Sequence, residues 1–396
     1  MTEYTTEDET LIIKTEPRID TTNAEYVKAD ILRACGTCAH KSLVLDMEDT
    51  EYISSSGLRI ILGLIKTEKS VSAVNVNTEV YNILETTGFT ELFEVRKAWK
   101  KLSVEECEVI GRGAKGTVYR YDSETVVKVY KNPDSLPDIQ RERSLARKAF
   151  VLGIPTAISY EIVKIGDSFG SVFELIDAKS FAELIAEKPE KADFYTDKYA
   201  TLLRRIHDTD VSRDDLPDIK LLMYRWLKEC APYLPEEVNI KLKKMVDEAP
   251  DVMKMIHGDY HPNNLMMQNG ETILIDMDTL ARGLPVFELA NVHATLVSFG
   301  QINPVKQEKF THIPYGLAVK IWERFLRVYF DTDDSTFLNE AEKKIRLFSY
   351  IRHLRHVARR EENDDTKKAV ELCVNKITEF CSEVNNLEFI KMEEQL

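Results

Sequence analysis

Residues 257–264, HGDYHPNN, place two histidines, one aspartate and two asparagines within eight positions, just ahead of an apolar run. Asp, Asn, Pro and Gly are turn formers, so a plain surface loop would account for most of this composition. The residues that follow, LMMQNGETILIDMD, give the cluster a position. Asn269–Gly270 is a two-residue hairpin signal between two apolar runs. Pairing Gln268 with Glu271 sets Asn264 opposite Ile275, so Asn264 lies beside Asp276 at the open end of the hairpin. His257 and Asp259 fall in the loop that enters it. Two hard-oxygen side chains side by side, with a third carboxylate close in sequence, suit Mg²⁺ and phosphate oxygens.

The spacing His-x-Asp-x-x-x-x-Asn is that of a kinase catalytic loop, with Gly258 where protein kinases usually carry Arg. In that reading Asp259 orients and deprotonates an attacking hydroxyl, and Asn264 and Asp276 hold the metal that bridges nucleotide phosphates. His257 is assigned to packing and hydrogen bonding of the loop. Further parts are then required upstream. IGRGAKGTVYRY supplies Gly111, Gly113 and Gly116 as GxGxxG. In a dinucleotide-binding fold this motif should open a helix; here β-branched and aromatic alternation follows, so the glycines read as a hairpin tip lying over phosphates. Lys128 falls in the next strand, within reach of the α- and β-phosphates. A solvated edge lysine is the plainer alternative. Glu142 is the one glutamate of the next helix, LPDIQRERSLARKAFVLG, and is the candidate to hold Lys128, unless it is simply one more charge on an exposed face. Backbone groups around Glu174 to Ile176 are placed to hold adenine.

The elements that position these residues follow from periodicity. The 396-residue chain is 43% hydrophobic and 30% charged, enough for two or more cores. Strand and helix patterns alternate through the first hundred residues: LIIK, SLVLDM, SVSAVNV and LFEV as strands, and TTNAEYVKADILRAC, SGLRIILGLIKT and TEVYNILETTG as helices. That is a small α/β layer domain. The basic segment RKAWKKLS ends the rhythm, which sets domains at 1–100 and 101–396. The second is an α+β bilobal domain, β-rich over about 103–178 and α-rich over about 179–396, with a cleft between the lobes.

Composition excludes several classes. The net charge of −14 disfavours a nucleic-acid surface. Six scattered cysteines make no disulfide scaffold, and Cys35 and Cys38 read as ordinary reduced thiols. No long apolar run reads as a membrane span, and the acidic N-terminus does not resemble a signal peptide, so a cytoplasmic protein is expected. Arg352, Arg355 and Arg359 share one helical face and read as an ion-paired surface. Tyr224, Trp226 and Trp322 read as core, unless one lines a substrate pocket.

Taken with ILIDMD, GLPVFELA and LLRRIHDTD, the HGDYHPNN stretch resembles the aminoglycoside phosphotransferase and choline kinase-like family, of protein-kinase-like fold. That resemblance implies ATP and Mg²⁺ use, with Asp259 as base and Asn264 and Asp276 as metal ligands. About a dozen residues separate Asp276 from Glu288, too few for a peptide platform, which favours a small-molecule hydroxyl as acceptor. Asp278 is a second acid on the same strand, read either as outer support for the metal or as a loop cap. The N-terminal hundred residues resemble a STAS domain, the fold of anti-sigma factor antagonists, through RIDTTNA, LVLDMEDTEYISSSGLRIIL and ILETTGFTELFEV. That implies a regulatory or docking module for a protein partner, with Ser56 as candidate phosphoacceptor at a helix N-terminus; the alternative is that Ser54, Ser55 and Ser56 only cap the helix. The family often carries Asp where Ser54 stands. Two rival functions remain open: a protein serine kinase acting on a STAS serine, and a nucleotide-sensing scaffold.

Overall fold

The structure is a computed structural model and describes residues 3–113 and 115–389. The chain divides into two compact units, residues 1–106 with 162–170, and residues 107–161 with 171–396.

In the first unit, strands Tyr4–Glu7, Thr10–Lys14, Ser42–Asp46, Val71–Val76 and Glu94–Lys97 form one sheet in that order. The first pair is antiparallel and the rest are parallel. Alternate residues Leu11, Ile13, Leu43 and Leu45 are buried, so one sheet face carries the core. Helices Ala24–Thr37, Ser55–Thr67 and Thr78–Thr86 supply its other half through Val27, Ile31, Ile61, Leu64, Val80 and Leu84. The strand Tyr4–Glu7 has no counterpart in the sequence expectation. Its residues are all exposed and, after Tyr4, polar, and its hairpin turns through Asp8 and Glu9 at φ 43° and 65° without a glycine. The last strand begins at Glu94, two residues later than LFEV implies. The Cys35 thiol is pushed up to about 11 by burial and then by Glu68, which leaves it protonated near neutral pH.

The second unit opens with three antiparallel strands, Glu108–Arg112, Gly116–Arg120 and Thr125–Tyr130. Helix Leu136–Val151 follows and buries Ile139, Leu145 and Ala149 on the face that also carries Glu142. Ser168–Glu174 lies beside Thr125–Tyr130. From Phe181 onward the unit is mainly helical. The large apolar core is built on Ala192–Asp208, Val286–His293, Tyr315–Phe330 and Ser335–Ala358, through residues such as Tyr199, Phe287, Phe325 and Phe348. Within this helical lobe sits the hairpin Leu265–Gln268/Glu271–Leu274, whose register pairs Gln268 with Glu271 and Leu265 with Leu274. Asn269 and Gly270, at φ 51° and 83°, make the two-residue turn. Among the described residues no helix is long and apolar enough to cross a membrane.

Candidate active site

Glu288 organises the loop that holds Asp259. Its carboxylate is fully buried and accepts from the backbone N–H groups of His257 and Gly258, both at 2.6 Å, with His207 Nε2 at 3.2 Å. Burial alone would raise its pKa; the His207 contact, with His257 behind it, outweighs burial and keeps the group ionised. Asn291 Nδ2 donates to the Gly258 carbonyl at 2.8 Å and the Thr279 hydroxyl to the His257 carbonyl at 2.8 Å. Gly258 is held at φ +87°, and a Cβ there would lie 2.4 Å from the Thr279 carbonyl oxygen. No other residue fits this turn without moving backbone, which explains a glycine where protein kinases usually carry Arg. His257 is buried and accepts from the Asp259 N–H at 3.2 Å, the structural place expected for it.

At the open end of the hairpin, the Ile275 N–H donates to the Asn264 carbonyl at 2.9 Å, which sets Asn264 next to Asp276. Asn264 Nδ2 donates to the Asp259 carbonyl at 3.0 Å, which leaves its oxygen as the free acceptor. Asp276 sits at φ +63° and lies 3.5 Å from Lys128 Nζ. Lys128 is held at 2.7 Å by Glu142, which is 5% exposed and also accepts from the Tyr130 hydroxyl at 2.9 Å. A second carboxyl oxygen anchored on Tyr130 fixes the rotamer of Glu142, and so the height of Lys128 above the sheet.

Gly111, Gly113, Gly116, Lys128 and Glu142 line a cavity of about 550 Å³ together with Glu174, Ile176, Asp259, Asn264 and Asp276. The three glycines differ in their reasons. A Cβ on Gly116 would meet the Val129 carbonyl oxygen at 2.3 Å, so strand packing demands it. On Gly111 and Gly113 a Cβ meets nothing closer than 3.7 Å and 3.8 Å, so nothing among the described residues excludes a side chain there. A side chain at either position would narrow the cavity that both glycines line. Near Glu174, the Leu175 N–H is taken by the Glu124 carbonyl and the Ala178 N–H by the Ile176 carbonyl. Asn264 and Asp276 bring an amide oxygen and a carboxylate to this cavity, the donor set that a hard divalent cation takes.

Three contacts of the site escaped the sequence. Lys115 pairs with the buried Asp278, which lies in a turn and not on a strand with Asp276, and so ties the glycine loop to the turn that follows Asp276. Arg352 Nη2 donates to Asp259 Oδ1 at 2.9 Å, and His261 Nε2 lies 3.6 Å from Oδ2. Burial works to raise the Asp259 pKa, but His261 and Arg352 together hold it well below the usual carboxylate range. Arg352 is therefore no surface ion pair, although Arg355 and Arg359 do pair with Glu229. Trp226 and Trp322 are buried, whereas Tyr224 is 37% exposed and bonds Asp247. Glu288 was legible only as a part of GLPVFELA. Ser56 lies in the first unit and lines neither this cavity nor the one described next; Ser54 supplies the helix cap by accepting its N–H at 3.2 Å.

A second cavity, of about 900 Å³, also reaches Asp259 and is walled by helix Ser335–Ala358 and by segments 299–310 and 361–369. With this geometry in view, comparison with known proteins decides the class. The model of the Phosphotransferase enzyme family matches residues 106–310, more than half of the chain. The chain belongs to that phosphotransferase family. A STAS domain model matches residues 1–106, so the phosphotransferase carries a STAS domain ahead of a protein-kinase-like fold. Solved structures similar to it include the ADP-bound aminoglycoside phosphotransferase APH(2'')-Ib, 16% identical over 77% of this chain and 99% of that one, with a TM-score of 0.47. Amicoumacin kinase hAmiN in complex with AMP-PNP, Ca²⁺ and Ami is 15% identical over 80% and 97%, with a TM-score of 0.46. A choline/ethanolamine kinase family protein from Mesorhizobium loti is 12% identical over 69% and 87%, with a TM-score of 0.45. No curated protein matches the phosphotransferase.

Proposed function

We propose that this phosphotransferase moves the γ-phosphoryl group of ATP to a hydroxyl of a small molecule, in the cytoplasm, with the STAS domain (residues 1–100 in the sequence division) as a regulatory or docking module for a protein partner. One observation carries this: Asp259 lines both cavities, so a group held in the larger one meets a nucleotide held in the smaller one at that carboxylate.

In this scheme Gly111, Gly113 and Gly116 cover the phosphates, Lys128 contacts the α- and β-phosphates, and backbone between Glu174 and Ile176 holds adenine. Asn264 and Asp276 hold Mg²⁺, which when bound offsets the negative charge of the phosphate oxygens. The acceptor oxygen forms the new bond to phosphorus as the bond to the leaving ADP oxygen breaks. Its proton passes to Asp259 Oδ2, since Oδ1 is engaged by Arg352. A carboxyl with so low a pKa is a weak base, so Asp259 chiefly orients the hydroxyl and takes the proton late, which a loose transition state permits. The turn from Asp276 to helix Val286–His293 is short and closed by strand Ala281–Arg282 on Met255–Ile256, which supports a small acceptor over a protein substrate.

The test is incubation of the full chain with ATP and Mg²⁺, following ADP release against a panel of hydroxyl compounds and phosphosites by mass spectrometry. Acceptor-dependent ADP release without protein phosphorylation is expected. Stoichiometric phosphate on Ser56 in the wild type, absent in Asp259→Asn, would hand the reading to a protein kinase.

A further inference from the structure

The first unit gathers a thiol, an imidazole and a carboxylate that the phosphotransferase chemistry does not use. Cys35 stands in the last turn of helix Ala24–Thr37, His40 in the loop before strand Ser42–Asp46, and Glu68 directly after helix Ser55–Thr67. One atom from each, a sulfur, a ring nitrogen and a carboxylate oxygen, lies within 4.8 Å of the other two. A tetrahedral zinc ion, with bonds of about 2.0–2.3 Å, holds such atoms roughly 3.3–3.6 Å apart. Side-chain adjustment of about an ångström therefore closes the set.

The hydrogen bonds of His40 point to a cation. Its Nδ1 lies 2.8 Å from the Cys38 carbonyl oxygen, which only accepts, so Nδ1 carries a ring proton. Nε2 then faces Glu68 Oε2 at 3.1 Å. In a neutral ring that sets a lone pair against a carboxylate, which either a second ring proton or a metal ion resolves. An Nδ1–H donated to a backbone carbonyl is the usual way a metal-bound histidine is fixed, with Nε2 as ligand. Two surroundings favour the metal. Cys35 and Glu68 both lie at helix C-termini, where the backbone presents partial negative charge, and helix Ala24–Thr37 has no basic residue in its last turn to answer it. A bare imidazolium–carboxylate pair also leaves the Cys35 sulfur without a role, whereas a metal takes all three groups.

We propose that the STAS domain holds a Zn²⁺ site made of Cys35 Sγ, His40 Nε2 and a carboxylate oxygen of Glu68, with solvent in the fourth position. The mixed sulfur, nitrogen and oxygen set suits Zn²⁺ and disfavours Mg²⁺, which takes oxygen ligands. On binding, the Cys35 sulfur releases its proton to solvent and bonds the metal in its place. Cys38 lends its carbonyl oxygen to His40, and its thiol is not among the three ligand groups. The ion ties the C-terminal ends of two helices to the loop entering strand Ser42–Asp46 and so stabilises the module. Ser56 lies at the other end of helix Ser55–Thr67, roughly 18 Å away along the axis, so the metal and the candidate phosphoacceptor are separate sites.

The test uses the full chain, stripped with a chelator and titrated with Co²⁺ and then Zn²⁺ under excess Mg²⁺. Cobalt bound to a thiolate shows a charge-transfer band, which the oxygen groups of the phosphotransferase cleft cannot give. One equivalent of Co²⁺ should produce that band and one equivalent of Zn²⁺ should remove it. Cys35→Ser should abolish the band while its circular dichroism matches the wild type. His40→Gln and Glu68→Gln should each weaken Co²⁺ affinity by about tenfold or more, at least the loss that follows removal of an outer partner. Cys38→Ser keeps the carbonyl and should leave affinity within about threefold. Zn²⁺ should raise the melting temperature of the wild type and not that of Cys35→Ser. A folded wild type without the band overturns the proposal and leaves a His40–Glu68 ion pair. A band that survives Cys35→Ser overturns it too, as does affinity unmoved in both His40→Gln and Glu68→Gln, or lost as fully in Cys38→Ser as in Cys35→Ser.

Discussion

Asp259 is placed by others. Glu288, Asn291 and Thr279 fix the backbone before it, and Arg352 and His261 hold its carboxylate, so its own contribution is separable by substitution. Asp259→Asn keeps the shape and should lower turnover by about two or more orders of magnitude, the scale of lost base and positioning help. Nucleotide affinity, measured by titration with AMP-PNP, should be nearly unchanged; near-normal turnover would remove Asp259 from the chemistry. The neighbouring Gly258 shows what local pattern can and cannot tell. The motif places it beside the proposed catalytic aspartate, but the need for glycine comes from Thr279, on a different segment, packed against its α-carbon. Arg352 lies 93 residues from Asp259, on a helix whose charges look like any solvated face. Only tertiary packing reveals which arginine of the row meets Asp259.

At the scale of elements, the hairpin 265–274 was legible because Asn269–Gly270 permits only a tight turn, and that turn sets the register that brings Asn264 to Asp276. Asp276→Ala should abolish the Mg²⁺-dependent part of ATP binding and leave adenosine affinity largely intact, since the proposed adenine contacts lie elsewhere in the cavity. Titrating both ligands with and without Mg²⁺ reads this; equal loss of both would make Asp276 structural. The glycine strand pair gives a second contrast. Gly116→Ala drives a Cβ into the Val129 carbonyl and should cost about 1–3 kcal/mol of stability, as overpacking does. Gly113→Ala should leave the melting temperature within a degree or two and raise the KM for ATP. Equal melting shifts in both variants would refute the distinction. Lys128 and Glu142 were legible as a pair because helix Leu136–Val151 contains a single glutamate. The strand Tyr4–Glu7 was not, because a fully exposed edge strand carries no alternation and its turn lacks glycine.

For the whole molecule, acidity is the exposed weakness. Burial, then His356 and Arg360, push the His353 pKa down to about 3, and burial also depresses His257 and His293. A histidine with a depressed folded pKa takes its proton more readily unfolded, so its contribution is full above about pH 6.5 and declines as pH falls toward 3. For His353 alone that amounts to about 2 kcal/mol lost by pH 5. Glu288 and Asp259, with depressed carboxyl pKa values, add their losses only below about pH 4. The melting temperature should therefore fall between pH 7.5 and 5, before any carboxylate is involved, and His353→Phe should flatten that slope. An unchanged slope in the variant would assign the acid lability elsewhere. None of this was readable from eight histidines in a sequence, because burial decides which of them stay neutral.

The Arg352–Asp259 contact has one more consequence, for idling. In the absence of an acceptor, water can take the place of the hydroxyl, and every such event wastes an ATP. Arg352 across one oxygen of Asp259 fixes the direction of the other, so a molecule held by the rest of the cavity wall keeps its hydroxyl there while a loose water does not. Arg352→Ala should thus raise the ratio of acceptor-free to acceptor-dependent ATP consumption, even as total throughput drops. An enzyme guarded in this way can sit charged with nucleotide at little cost until the correct hydroxyl arrives.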